Sequence, residues 1–164
     1  MLAACLAVSA RAEAPRPARA VPFALEDQHG GSFELAIPLA EPLVLLIADR
    51  AGSQETHAWV EALSERYPEG VDFRGIADFT GLPRPFRGLV RRRVRAESPY
   101  VLLMDWTGEV AQAYATRPST VNLYVIARDG AIRLRVEGLP DDAKLERVVE
   151  TLDALLREPE AGGA

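Results

Sequence analysis

The chain has 164 residues, of which 48% are hydrophobic and 26% charged, and its formal net charge is -5 at pH 7. This length and balance suit one globular domain with a useful core and leave no room for two. The negative charge provides no overall attraction to nucleic acid, so we expect no nucleic-acid partner. Because Cys5 is the single cysteine, an intramolecular disulfide, a multi-cysteine zinc site and a two-thiol redox cycle within one chain are excluded. We expect no metal and no cofactor.

Residues 1–14 have the character of a targeting segment. They are small and apolar and end in Ala12-Glu13-Ala14, the small-x-small pattern that signal peptidases cut. We expect a signal peptide, truncated because basic residues are missing at its start, and hence a periplasmic or secreted protein. Two alternatives stay open: a lipobox that would make Cys5 the acylated residue of a lipoprotein, and a helical turn retained in the domain. If cleavage follows Ala14, the mature chain contains no cysteine. No stretch of the sequence is long and apolar enough to predict a membrane-spanning helix.

The sequence as a whole predicts a linker at 15–20, a domain over 21–157 and a flexible tail at 158–164. Alternating apolar residues on both sides of Asp27–Gly31 predict an opening β-hairpin. The aliphatic run Leu43–Ala48 predicts a central strand buried on both faces. Apolar residues at helical spacing predict a helix after Gly52-Ser53. A second buried strand over 71–79 and an Arg-rich helix to about Arg95 follow. Because a helix connects the two buried strands, 43–48 and 71–79, we expect them to be parallel.

The second half predicts a strand over 100–105, a short helix over 110–114 and two strands on either side of Asp129-Gly130. An Asp-Gly pair between alternating strands is typical of a hairpin. Apolar residues from Leu145 to Leu156 line one face of a last helix. The predicted fold is a three-layer α/β sandwich, with a central mixed β-sheet flanked by helices and an N-terminal β-hairpin.

Over about residues 21–157 the chain resembles the thioredoxin superfamily. The similarity is to the redoxin branch, with its thiol-specific antioxidant proteins and TlpA-like periplasmic thiol-disulfide oxidoreductases, and in part to the YtfJ family of periplasmic proteins. It rests on Phe23-x-Leu25-x-Asp27-x-x-Gly30, on the strand Leu43–Ala48 running into a helix, on Asp105-x-x-Gly108 before Ala111-x-x-Tyr114, and on Val125-Ile126-x-x-Asp129-Gly130. The resemblance implies a thioredoxin-like fold with its functional site at the start of the first long helix.

The residues at that site depart from the family pattern. The resemblance implies Cys-Gly-Pro-Cys after the central strand, whereas this chain has Ala51-Gly52-Ser53-Gln54. Neither an alanine methyl group nor a glutamine amide can attack a disulfide or a peroxide, so thiol exchange through these positions is excluded. The family's cis-proline position falls on Val121, where we expect a trans bond, with Pro118 as the alternative. We therefore expect no catalytic residue here.

Polar residues at the ends of the predicted parallel strands are candidates for binding, because open α/β sheets place ligands there. Asp49 and His57 could form an acid–base pair or a weak metal site. The alternative interpretation is that Asp49 caps the helix, Arg50 pairs with Asp49 and His57 is a surface residue. No cluster has metal-ligand spacing. The full set of candidates is Asp49, Arg50, Gln54, His57, Asp78 and Asp105.

The second candidate surface is a run of arginines without an intervening acid. On a helix, Arg84, Arg87, Arg91 and Arg95 would share one face, while Phe86, Val90 and Val94 would form another that can pack on the sheet. With Arg92 and Arg93 the run holds six positive charges, and the other residues carry -11. Such a face could bind phosphate, an anionic lipid surface or an acidic partner. The alternative is a solvated face paired with nearby acids.

Three functional hypotheses follow from the sequence. The first is an exported thioredoxin-fold protein that has lost thiol chemistry and serves as a binding or scaffold module, with another protein as its partner. The second is an accessory member of an antioxidant or oxidoreductase system that acts through a partner. The third is binding of an anion or anionic surface through the Arg84–Arg95 helix.

Overall fold

The computed structural model describes residues 16–158, so the predicted signal peptide, Cys5 and most of the predicted tail lie outside the described residues. In chain order the elements are β1 (Phe23–Glu26), β2 (Ser32–Leu35), β3 (Leu43–Asp49), α1 (Ser53–Ser64), β4 (Asp72–Asp78), a 3-10 turn (Arg84–Phe86), α2 (Arg87–Glu97), β5 (Leu102–Asp105), α3 (Glu109–Ala113), β6 (Asn122–Ile126), β7 (Ile132–Glu137) and α4 (Asp142–Arg157). Every predicted strand and helix is present. Within 16–158, no helix has the length and apolar character needed to cross a membrane.

Five strands form the central sheet in the order β5-β4-β3-β6-β7, with β1 and β2 as a separate antiparallel hairpin. Strand β3 runs parallel to β4 and antiparallel to β6, which makes the sheet mixed and β3 central, as predicted. Its residues from Leu43 to Ala48 are all buried, because helices or the hairpin cover both faces. Because β4 is also parallel to β5, the carboxyl ends of β3, β4 and β5 lie together at one end of the sheet. At this end β3 leads into α1.

Two hydrophobic clusters, one on each face of the sheet, form the core. On one face α1 and α4 pack through fully buried side chains that include Trp59, Leu63 and Leu152. On the other face α3 and the hairpin cover the odd-numbered side chains of β3, with Tyr114 completely buried. The Trp59 indole donates a hydrogen bond of 2.7 Å to the Gly138 carbonyl, so this ring is a core residue with its polar group satisfied.

Helix α2 is attached differently, and here one expectation was wrong. Phe86 does not pack on the sheet, because it ends the 3-10 turn before α2 and is 54% exposed. Val90 and Val94 are half-buried, and α2 contains no buried residue. Arginine side chains of α2, described below, form hydrogen bonds and an ion pair with the body of the domain.

Gln28 closes the open edge of the sheet beside β5. Its side chain is fully buried, accepts a hydrogen bond from the Leu102 amide at 2.8 Å and donates one to the Tyr100 carbonyl at 2.7 Å. These bonds satisfy backbone groups that an edge strand would otherwise leave open to another chain. Arg95 also donates to the Gln28 carbonyl, at 2.8 Å, so the same residue links α2 to the sheet edge.

Candidate functional site

The turn between β3 and α1 carries Ala51-Gly52-Ser53-Gln54, the residues that the sequence resemblance aligns with a cysteine motif. Asp49 ends β3, and its Oδ1 accepts a hydrogen bond of 2.9 Å from the Gly52 amide, which holds the turn that leads into α1. Ala51, Ser53 and Gln54 are exposed, so the positions where the family carries its cysteines face solvent. Gly52 is required by close packing, because a Cβ there would lie 2.4 Å from the carbonyl carbon of Thr120.

The segment 117–121 lies directly opposite this turn and is clamped to it by two carboxylates. Asp49 Oδ2 accepts a hydrogen bond of 2.7 Å from the Ser119 amide. Glu55, in the first turn of α1, accepts from the Thr120 hydroxyl at 2.7 Å and from the Val121 amide at 2.8 Å. Both carboxylates therefore hold α1 and the facing loop in one rigid arrangement.

The facing loop has no cis peptide bond at either position that the sequence resemblance suggested for one. Among residues 16–158 the cis peptide bond is Ile37–Pro38, and the bonds before Pro118 and Val121 are trans. Ser119 adopts a left-handed conformation with a φ of 62°, which few non-glycine residues adopt. Val121 is fully buried and its amide is held by Glu55. The buried Val121 amide and the Glu55 carboxylate therefore fix the end of the facing loop against α1.

Asp49 and His57 are not brought together. The two oxygens of Asp49 accept the backbone amides described above, whereas His57 Nε2 lies 3.2 Å from Glu61 and its ring centroid 5.4 Å from that of Tyr100. No ion pair between Arg50 and Asp49 is present in the described part of the chain, so the sequence-based expectation of that pair was wrong. The Asp49 carboxylate instead binds backbone groups, which fix it more closely than a mobile arginine would.

The carboxylates at the ends of β4 and β5 also bind backbone groups. Asp78 accepts hydrogen bonds from the amide and hydroxyl of Thr80. Asp105 is fully buried and accepts from the amides of Gly108 at 2.8 Å, Val110 at 3.0 Å and Ala111 at 3.1 Å, which fixes the start of α3. Between residues 16 and 158 no group of three or more His, Asp or Glu side chains is placed to hold a metal ion.

A cleft of about 950 Å³ opens at the carboxyl ends of β3 and β4, beside the clamped loop. Its walls combine carboxylates, the two guanidinium groups of Arg16 and Arg117, and neutral polar groups with a few alanines. Arg117, on one wall, forms a 3.3 Å ion pair with Glu137. Such a mixture of donors and acceptors suits a polar ligand or a stretch of polypeptide backbone. The polar lining residues include Asp49, Asp78, Thr80, Gln112, Arg117 and Asn122.

The structure divides the arginine run into inward and outward groups. Arg87 donates to the Trp106 carbonyl at 3.2 Å, Arg91 forms a 2.9 Å ion pair with Glu26, and Arg95 binds the Gln28 carbonyl. The guanidinium groups of Arg87 and Arg91 also lie over the Trp106 ring, at 5.5 and 5.8 Å from its centroid. These three side chains therefore attach α2 to the domain. Arg95 is exposed along part of its length but is held by its bonds to Gln28, whereas the outward group, Arg84, Arg92 and Arg93, is exposed and forms no hydrogen bond or ion pair with the body of the domain within residues 16–158.

Sequence reasoning missed Glu55 and Gln28. In the sequence nothing distinguishes these two polar residues from ordinary surface residues, and their partners lie 65 to 74 residues away along the chain. The one available signal was the acidic residue in the first turn of α1, which is explained equally well by the helix dipole.

Comparison with known proteins finds similarity in structure. No family model matches the chain, and no curated protein matches it in sequence. An exposed lipoprotein thioredoxin, Etrx1, of Streptococcus pneumoniae superimposes with a TM-score of 0.65 at 13% identity, over 82% of this chain and 100% of that one. A chain described as a thiol:disulfide interchange protein, DsbE, of Chlorobium tepidum gives 0.64 at 17% identity, over 87% and 98%. The peroxidoxin BcpB of Mycobacterium tuberculosis gives 0.57 at 22% identity, over 84% and 95%.

These similarities cover nearly the whole length of the neighbouring chains and include both thioredoxin-like and peroxidoxin structures. The order of the sheet, the helix after its central strand and the N-terminal hairpin agree with the expectation from the sequence motifs. The chain has a thioredoxin-like fold.

Proposed function

We propose that this protein is an exported thioredoxin-fold binding module without thiol chemistry of its own. The observation that carries the proposal is the pair Ala51 and Gln54 at the start of α1, where thiol exchange would require cysteines. The clamps made by Asp49 and Glu55 support it, since they give their hydrogen-bonding capacity to the facing loop. Export is supported by the signal-like character of residues 1–14.

The cleft beside the clamped loop is the proposed contact surface for a partner protein. It lies at the carboxyl ends of parallel strands, where open α/β sheets hold ligands, and it offers both donors and acceptors to a peptide backbone. The fold's similarity to proteins described as thioredoxins and thiol:disulfide interchange proteins favours a cysteine-bearing redox protein as that partner. In that case the module would take part in a redox system without exchanging electrons itself.

Loss of thiol chemistry is tested by peroxide consumption with a thiol donor, comparing the full chain with its Cys5→Ser variant. We expect both to remain at the rate of the donor alone. A rate that disappears in Cys5→Ser would show that the one thiol is reactive. A rate that survives the substitution would overturn the proposal by revealing peroxidase chemistry elsewhere in the chain.

Partner binding is tested with a photo-crosslinking residue placed at Gln112, an exposed position on the cleft, and at Glu150, an exposed position on α4 outside it. We expect a discrete cross-linked protein from Gln112 alone, identified by mass spectrometry. Equal cross-linking from both positions, or none from Gln112, would contradict the cleft as the contact surface.

A further inference from the structure

A second surface carries an inference independent of the cleft. We define the outer ridge as Arg84, Phe86, Leu89, Arg92 and Arg93, which project from α2 and the turn before it. Phe86 is 54% exposed and Leu89 is 57% exposed. Large apolar side chains scattered singly on a surface need no explanation, but here two lie between exposed arginines on one short stretch of chain.

The orientation of the ridge is fixed by the opposite side of α2. Arg87, Arg91 and Arg95 bind Trp106, Glu26 and Gln28 of the body, as described above. On an α-helix residues four apart share a face, so Leu89 and Arg93 share one face and Arg91 and Arg95 share another. Leu89 and Arg91 are two residues apart, which places these faces on opposite sides of the helix. Arginine side chains therefore hold the inner side of the helix, where Val90 and Val94 are half-buried, while Leu89 and the preceding Phe86 remain exposed to solvent.

The charge of the ridge contrasts with that of the whole chain, which is -5. Arg84 and Arg92 form no ion pair within residues 16–158. Arg93 pairs with Glu97 at 2.8 Å, but both side chains are more than 60% exposed, so the pair is weak and an external anion can replace it. Guanidinium groups around two protruding apolar side chains match an anionic surface with an apolar layer beneath it.

We propose that the outer ridge binds the surface of an anionic phospholipid bilayer. Phe86 and Leu89 insert between the headgroups, while Arg84, Arg92 and Arg93 contact lipid phosphates. A protein partner is disfavoured because a stable protein interface requires about 20–30 residues a side, whereas the ridge is confined to one short helix and its turn. A bilayer needs only such a ridge, because each basic residue near an anionic surface adds to the binding independently.

The test is co-sedimentation of the protein with vesicles of phosphatidylcholine alone and of phosphatidylcholine mixed with phosphatidylglycerol. We expect binding to the mixed vesicles only, weakened by salt because the Debye length falls from about 10 Å at 0.1 M to about 3 Å at 1 M. In Arg92→Gln/Arg93→Gln, affinity should fall about 25-fold, since each basic residue contributes about fivefold. In Phe86→Ser/Leu89→Ser it should fall at least about tenfold.

The matched control is Arg133→Gln/Arg147→Gln, which removes the same charge from exposed positions outside α2 and should bind as the unmodified chain does. Circular dichroism checks that each variant is folded. Absence of binding at low salt, or equal loss in the control, would overturn the proposal. So would a concentration-dependent dimer in sedimentation velocity that Phe86→Ser/Leu89→Ser abolishes, because the ridge would then be an interface between two copies of the chain.

Discussion

Replacement of Glu55 by alanine tests whether the clamp between α1 and the facing loop contributes to stability. The substitution removes the acceptor of two hydrogen bonds, from the Thr120 hydroxyl at 2.7 Å and the Val121 amide at 2.8 Å. Thr120 is half-buried and can turn its hydroxyl to water, but Val121 is fully buried and its amide would lose its partner. An unsatisfied buried donor costs about 1–3 kcal/mol, and a bond to a charged acceptor contributes about 1.5–3 kcal/mol.

Because these two estimates describe overlapping effects, we expect Glu55→Ala to lower the free energy of unfolding by about 2–3 kcal/mol. In a domain of this size that corresponds to a fall in Tm of about 5–10 °C. The measurement is urea denaturation followed by far-ultraviolet circular dichroism, in which the midpoint should fall while the slope stays constant. Hydrogen exchange should show faster exchange at the Val121 amide.

Two control variants identify the cause. Glu55→Gln keeps an oxygen acceptor without the charge and should lose only part of the stability. Glu61→Ala changes an exposed acid on the same helix, which lies 3.2 Å from His57, and it should cost less than about 0.5 kcal/mol. If Glu55→Ala were no more destabilising than Glu61→Ala, the clamp would have no energetic role and the reasoning would be refuted.

Three further predictions concern the packing of Gly52 at the site, the hydrogen bonds of Gln28 at the sheet edge and the charge of Asp153 on α4. Gly52→Ala should destabilise the fold by more than about 2 kcal/mol, measured by chemical denaturation, because its Cβ would meet the backbone of Thr120 at 2.4 Å; Gly88→Ala, with open space around it, is the control. Gln28→Ala should cost about 2 kcal/mol by the same method, as it leaves the Leu102 amide and the Tyr100 carbonyl without partners, and stability equal to the unmodified chain would contradict this. Hydrogen bonds from Tyr67 and Arg66 lower the pKa of Asp153. The contribution of Asp153 to folding stability is therefore fully present above the ordinary aspartate pKa of about 3.9 and is lost as the pH falls through the lowered value. Asp153→Asn should flatten the loss of stability below about pH 4, and an unchanged dependence of stability on pH would oppose this.

The fold could be predicted from the sequence because its signals are local and periodic. The aliphatic run Leu43–Ala48 has no polar face, so it required a strand covered on both sides, and the structure places it at the centre of the sheet. The Asp129-Gly130 turn between alternating strands likewise fixed the hairpin of β6 and β7. The order of these elements indicated a three-layer α/β arrangement with a mixed sheet, and the resemblance carried by the sequence motifs implied that this arrangement is thioredoxin-like.

The contacts of the site could not be predicted in the same way, because they join distant parts of the chain. Nothing near Glu55 in the sequence identifies Val121 as its partner, 66 residues further on. The arginine helix illustrates a different limit, since long side chains can reach inward as readily as outward. Arg91 and Arg95 therefore attach α2 to Glu26 and Gln28, while Phe86, expected against the sheet, faces solvent.

The most direct test of the account is the rate of insulin disulfide reduction by the unmodified protein and by Ala51→Cys/Gln54→Cys, measured side by side with a thiol donor. The two substitutions place thiols three residues apart at the start of α1, where free amides and the helix dipole stabilise a thiolate. The account predicts that the unmodified chain stays at the rate of the donor alone and that the double variant exceeds it. Reduction by the unmodified chain above that rate would contradict the central claim that this thioredoxin fold has lost its thiol chemistry.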